Sequence, residues 1–386
     1  MIEILITWFG LGFLTFGVLI FHYILMKRKA IESWRLRIDD NFTPKLSIIV
    51  PTRNESDVIN FKMMNLAKIE YPKELVQIIV VDSESEDGTV EIVKNFVARH
   101  PEINIKVLLD HQREGKSAAL NFALKHCDGD VVVVSDADCF WPSDILLKTL
   151  RFLADPSVGG ISGPKILLNA KQSRATKSEG FYLDSFNLMR LGESKLGFTP
   201  FFEGGFSAYK RDALKSFDPY NTGSDDCGTV ISFAEREYKA IMVPEGRFYS
   251  IFPLSVMERL SIKLRRSNQL VRVFWKYIIL FSKRRIRISK RVIAQDILAY
   301  FIGPILFIGF VAVTVFASLN FPYLTLLFLI SLMPKVRLYF FETIQSYFLL
   351  FISMLGVAFG KKFVIWRSPK DRTLIREDML RQYRLI

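Results

Sequence analysis

The chain has 386 residues, with 52 Lys or Arg against 39 Asp or Glu for a net charge of +13; half of its residues are hydrophobic, and Phe alone occurs 34 times. That length holds one large domain with additions, or two domains, and such an apolar fraction is not expected of a wholly soluble chain. Cys127, Cys139 and Cys227 show no CxxC spacing and read as reduced thiols, and the four His show no ligand spacing, so spacing gives no zinc site.

Residues 4–26, ILITWFGLGFLTFGVLIFHYILM, are 23 residues without Lys, Arg, Asp or Glu. That is the length of a bilayer crossing. Lys27, Arg28 and Lys29 follow the run and nothing basic precedes it, so residues 1–29 read as a transmembrane helix rather than a cleaved leader. The charge bias puts the N-terminus outside and the next domain in the cytoplasm. KLSIIVPTRNE (45–55), VQIIVVDSESEDGT (76–89), INIKVLLD (103–110) and DVVVVSDAD (130–138) read as strands, separated by helical stretches that include 89–100 and 115–127. Residues 144–154 read as helical and VGGISGPKILL (158–168) as a Gly-broken strand. Strand and helix alternate, which predicts an α/β, doubly wound domain over residues 40–250.

Residues 259–291 then carry 12 Lys or Arg and no acid, interleaved with apolar residues. The pattern predicts basic amphipathic helices over 251–293 on an anionic membrane face. A nucleic-acid partner is not expected, because no readout motif accompanies the charge. Residues 294–360 form a second apolar region, in which 321–333 is short for a crossing. Two spans are expected there, three in all, with four as the alternative. Lys361, Lys362, Arg367, Lys370, Arg372, Arg376, Arg381 and Arg384 make 361–386 a basic tail, expected in the cytoplasm.

A run of four valines suits a strand buried on both faces, and Asp136 and Asp138 emerge at its carboxyl end, where open α/β sheets bind ligands. Two such carboxylates suit a hard cation; alone, they are equally a polar turn. The run does not stand alone. PTRNE (51–55), DSESEDGT (82–89), REGKSAALN (113–121), SDAD (135–138), FFEGGFSAYKR (201–211) and GSDDCG (223–228) follow one another at strand and helix ends. In this order they resemble the inverting family 2 glycosyltransferases with a GT-A fold, and one span before the domain with several after it resembles the hyaluronan, chitin and cellulose synthase branch.

The resemblance implies a nucleotide-diphosphate sugar donor, a UDP-sugar first among them, and a lipid-linked or saccharide acceptor at a membrane. It implies Asp138 as ligand of Mg²⁺ or Mn²⁺, with Asp136 beside it at the ribose or phosphate. Asp82 would read the base, with Pro51, Arg53 and Glu55 around the nucleoside, and Lys116 would meet the diphosphate. Asp226 would be the base that takes the acceptor proton, oriented by Asp225, while Gly204 and Gly205 would let backbone approach donor or acceptor. The plain alternatives are strand-end capping, a solvated helix start at Lys116, an N-cap at Asp226 and an ordinary turn at the glycines. Processive members carry a QxxRW-type sequence; here IKLRR (262–266) keeps Arg265 but has Ile262 and Arg266 at the outer positions, and Gln269, Arg272 and Trp275 give another register at the wrong spacing. An inactive scaffold of the same fold is the alternative function, and it would have no use for Asp136, Asp138 and Asp226 together.

Overall fold

The computed structural model describes residues 2–112, 114–322, 334–361 and 370–386, the side chains of 334–340 and 370–371 excepted. Most of the short apolar segment 321–333, and Lys362 and Arg367 of the tail, lie outside the described residues.

Seven strands form one sheet in the order β3 (Ile105–Leu109), β2 (Val76–Asp82), β1 (Leu46–Thr52), β4 (Val131–Val134), β7 (Ser207–Lys210), β5 (Val158–Ser162) and β8 (Lys239–Met242). Their β-branched runs are unbroken because both faces are covered. Leu46, Ile48, Val50, Val131 and Val133 enter one core cluster, while Ile49, Val132 and Val134 enter the cluster on the opposite face. β1 pairs in parallel with β2 and β4, so the chain order reverses beside β1. Ligands bind at the carboxyl ends flanking such a reversal.

Two details depart from an all-parallel reading. β7 runs antiparallel to both β4 and β5, because it starts at the ligand edge, just after Gly204 and Gly205, and must lead away from it. The expected single strand over 158–168 is two: β5 joins the main sheet, and β6 (Lys165–Leu167) pairs with β9 (Phe248–Ser250) in a small second sheet. Pro164 lies between them and has no N–H to continue a ladder.

Among the described residues, three helices are long and apolar enough to cross a membrane: Ile2–Ala30, Lys290–Asn320 and Phe341–Ala358, the last within the helix Pro334–Ala358. The first two pack together, with Trp8 against Phe310 and the Trp8 indole N–H donating to Thr314 Oγ1 at 2.9 Å. The first part of the basic stretch forms one long helix, Val256–Ser282, whose Val271, Phe274, Tyr277 and Leu280 are buried at helical spacing, and residues 283–287 lie in the turn beyond it. The boundary expected at residue 293 falls inside Lys290–Asn320, which is continuous. Lys263 on the long helix pairs with Glu342 at 2.7 Å and with Glu179 at 3.3 Å, joining the helix Phe341–Ala358 to the sheet domain.

The basic tail does not run free. Beyond a 3-10 turn, Lys370–Leu374, the helix Glu377–Gln382 lies on the sheet domain. Ile375, Met379, Leu380, Leu385 and Ile386 are buried in the core cluster of β1 and β4, and Asn65 donates to the Leu385 carbonyl at 2.7 Å.

Candidate active site

A cleft of about 400 Å³ opens at the carboxyl ends of β1 and β4. Pro51, Arg53, Glu55, Lys116, Asp136, Asp138, Gly204, Gly205, Asp225, Asp226 and Arg265 all line it. Asp82, expected at the base, does not. It is buried at the end of β2, where its carboxylate accepts from Thr52 Oγ1 at 2.9 Å, Ser85 Oγ at 2.6 Å and the Ser85 N–H at 2.8 Å. Those bonds shape the loop beneath Ser83, which does reach the cleft.

Lys116 opens the helix Lys116–Leu124 and bridges the two acidic motifs. Its Nζ lies 2.6 Å from Asp136 Oδ1 and 2.8 Å from Asp225 Oδ2. Burial works against the ammonium, but Asp136, Asp225 and Asp226 outweigh it and hold its pKa well above the ordinary lysine value. Asp136 in turn stays below the usual carboxylate range despite burial, chiefly because of Lys116. The Asp136 N–H donates to the Gly204 carbonyl at 3.0 Å, and a Cβ on Gly204 would collide with Lys116 Nζ. On Gly205 it would run into the Phe248 ring. These glycines therefore fit a close approach of backbone to the charged floor.

The adjacent aspartates differ. Asp226 Oδ1 accepts from Ser224 Oγ at 2.5 Å and from the Cys227 N–H at 2.7 Å, which makes Asp226 the N-cap of the helix Cys227–Glu235. Capping and a place in the cleft coexist here. Asp225 is pushed up to about 6, first by burial and then by Asp226 and Asp136, against the pull of Lys116.

Asp138 and Glu55 share a partner that sequence reasoning missed. Arg372, from the tail, is 3% exposed, with its guanidinium on Glu55 and 3.1 Å from Asp138 Oδ2. The oxygens that would hold a divalent ion thus already gather around a cation, and hard carboxylate oxygens suit Mg²⁺ or Mn²⁺. Asp136 and Asp138 share a ligand-spaced cluster with Cys139, whose thiol is held well above its ordinary pKa by burial and by Asp138. Below this loop lies Lys62, also unforeseen, which donates to Ser135 Oγ at 2.6 Å and the Cys139 carbonyl at 2.7 Å. Burial brings its ammonium down to about 7, against the pull of Cys139, Asp136 and Asp138.

On the long basic helix, Arg265 reaches the cleft and is brought down to about 10 by burial and by Arg266. Gln269 also lines the cleft, and it and Arg272 hold the Gly223 and Asn221 carbonyls, fixing the loop before Asp225 and Asp226. Trp275 is half exposed and stacks on Phe301, away from the cleft residues. The cleft is also lined by Tyr300, Leu349 and Leu350 of the two later apolar helices.

Residues 47–217 match the family model for Glycosyl transferase family 2. The chain is 31% identical over 159 residues to a probable glycosyltransferase, YdaM, of Bacillus subtilis, covering 40% of this chain and 37% of that one. It is 28% identical over 223 residues to a beta-monoglucosyldiacylglycerol synthase of Synechocystis sp., covering 56% and 46%. The chain thus spans less than half the length of these curated relatives. Among solved structures it resembles the mannosyltransferase PcManGT from Pyrobaculum calidifontis, solved with GDP-Man and Mn²⁺, at a TM-score of 0.80 and 28% identity over 93% of this chain and 100% of that one.

Proposed function

We propose that this chain, which carries a family 2 glycosyltransferase domain of GT-A fold, moves a sugar from a nucleotide-diphosphate donor to a hydroxyl of a membrane-associated lipid or saccharide, with inversion. The carrying observation is a single cleft that joins Lys116, Asp136 and Asp138 to the Asp225–Asp226 pair and continues between apolar side chains of the later spanning helices. Lys116 offers positive charge to a departing diphosphate. Pro51, Arg53 and Glu55 border the nucleoside, Asp82 shapes the loop beneath it, and Arg265 faces the diphosphate from the membrane side. Asp226 takes the proton of the attacking hydroxyl. Asp138, with Asp136, would hold a Mg²⁺ or Mn²⁺ ion, which when bound neutralises charge on the leaving diphosphate. The apolar wall fits a lipid acceptor, and the diacylglycerol relative carries such an acceptor in its name.

The test is transfer and hydrolysis by the purified protein across a panel of UDP- and GDP-sugars. UDP-sugars are expected to be turned over, a GDP-sugar being the first alternative, since the mannosyltransferase relative was solved with GDP-Man. Binding without turnover of any donor or acceptor would favour the inactive scaffold.

Asp225 adds a pH dependence. With its carboxyl near 6, the charge that pairs with Lys116 is present above that pH and lost as pH falls through it. The kcat/KM profile is expected to show an acid limb near 6 that Asp225→Asn removes while lowering the plateau. An unchanged limb in that variant would assign it to another group.

Lys27, Arg28 and Lys29 after the first span support a cytoplasmic catalytic domain, with the tail on the same side. The basic face of Val256–Ser282 would then rest on anionic lipid headgroups. Reporter fusions at Asn41 and Ile386 are expected to read inside, and one at Glu3 outside. Opposite sides for Asn41 and Ile386 would refute this plan.

A further inference from the structure

Away from the cleft, three chain segments bring His22, Glu193 and Asp296 together. His22 lies on Ile2–Ala30, Glu193 on the domain helix Arg174–Lys195, and Asp296 near the start of Lys290–Asn320. His22 is 2% exposed and both acids are fully buried. The role proposed for the cleft uses none of them.

The distances are unusual for ion pairs. His22 Nε2 stands 3.4 Å from Glu193 Oε1 and 3.6 Å from Asp296 Oδ1, where a charge-assisted hydrogen bond would close to about 2.8 Å. Nitrogen and oxygen ligands at about 2.0–2.2 Å from a tetrahedral ion stand about 3.3–3.6 Å from each other. Both Asp296 oxygens are buried and, among the described residues, take no hydrogen bond from an N–H or a hydroxyl; the group within hydrogen-bond reach of them is the Glu193 carboxyl. Two buried carboxylates without a matching cation are costly. Glu193 is also oriented as a ligand would be, with Thr199 Oγ1 donating to its Oε2 at 2.6 Å. Next to it, Gly192 meets the Met26 backbone so closely that a Cβ would collide with the Met26 carbonyl, and that contact sets the Ile2–Ala30 helix against Arg174–Lys195.

We propose that His22, Glu193 and Asp296 bind a divalent first-row transition-metal ion that clamps two membrane-spanning helices to the catalytic domain. One imidazole and two carboxylates suit Zn²⁺, Mn²⁺ or Fe²⁺. A dication would balance two ionised acids beside a neutral His22, and its role here is structural.

The test uses the full chain in detergent micelles with Asp138→Asn in place, so that an ion at the cleft does not contribute. Elemental analysis after gel filtration is expected to give about one equivalent of Zn, Mn or Fe, and chelation is expected to lower Tm. Adding His22→Gln or Asp296→Asn should remove the equivalent and make Tm indifferent to chelator. Should a variant fail to fold, Co²⁺ added to the chelated His22-containing protein is expected to give the visible absorption of a four- or five-coordinate site. Metal-free protein whose Tm ignores both chelator and Zn²⁺, with no Co²⁺ band, would overturn the proposal and leave the three groups sharing a proton.

Discussion

Asp226→Asn is expected to keep donor and metal affinity while losing transfer by roughly 10²- to 10⁴-fold, the range a positioned general base contributes. The amide keeps an oxygen where Oδ1 now accepts from Ser224 and the Cys227 N–H, so the helix Cys227–Glu235 stays capped and the fold survives. What it removes is the capacity to take a proton. The loss should therefore fall on kcat, with calorimetric titration of donor plus Mn²⁺ unchanged. Near-normal transfer would clear Asp226 of this role and leave Asp225, held at 2.8 Å by Lys116, as the candidate.

Asp138→Asn is expected to weaken donor and metal together. An amide oxygen is a poorer partner for a hard cation than a carboxylate, and an ion at a transferring phosphate is worth several kcal/mol. Transfer should fall on the order of 10³-fold, since each 1.36 kcal/mol is tenfold. Arg372 keeps Glu55 as its partner in this variant, so no buried charge is orphaned and Tm should hold within a few degrees. Chelation of the parent protein should copy the variant, and the variant should no longer respond to Mn²⁺. Full activity of the parent in chelator would refute the metal reading of Asp136 and Asp138.

The strands were legible because residues such as Ile48, Ile49 and Val131–Val134 must be apolar on both faces, and a continuous run has few other uses. The motif carboxylates were legible because they end those runs. Asp82 shows the limit of that logic, since a strand-end acid can spend its oxygens on Thr52 and Ser85 instead of the cleft. Arg372 was unreadable for another reason. Its partners Glu55 and Asp138 lie far back in the chain, and within a basic tail its charge reads as a sign of membrane orientation. The signal that was available is the apolar set Ile375, Met379 and Leu380, just before and on a short helix with a core to reach. Similarly, Lys263 on the long helix looked like part of a lipid-facing stripe, and only the fold brings Glu342 and Glu179 to it.

The docking of residues 379–386 on the β1 cluster also carries a consequence for biosynthesis. The ribosome makes all the strands of the domain first, then both later spanning helices, and only afterwards the segment that covers Asn65 and its neighbours. At about 5–20 residues per second, the interval between Met242 and Leu380 lasts on the order of ten seconds or more. Throughout it the nascent domain has an uncovered apolar seam, and on the proposed topology it can close only after the intervening helices have entered the bilayer and returned the chain to the same side. Membrane insertion would thereby become a step in folding the sheet domain, and a chain stalled at the translocon would present that seam to chaperones and proteases.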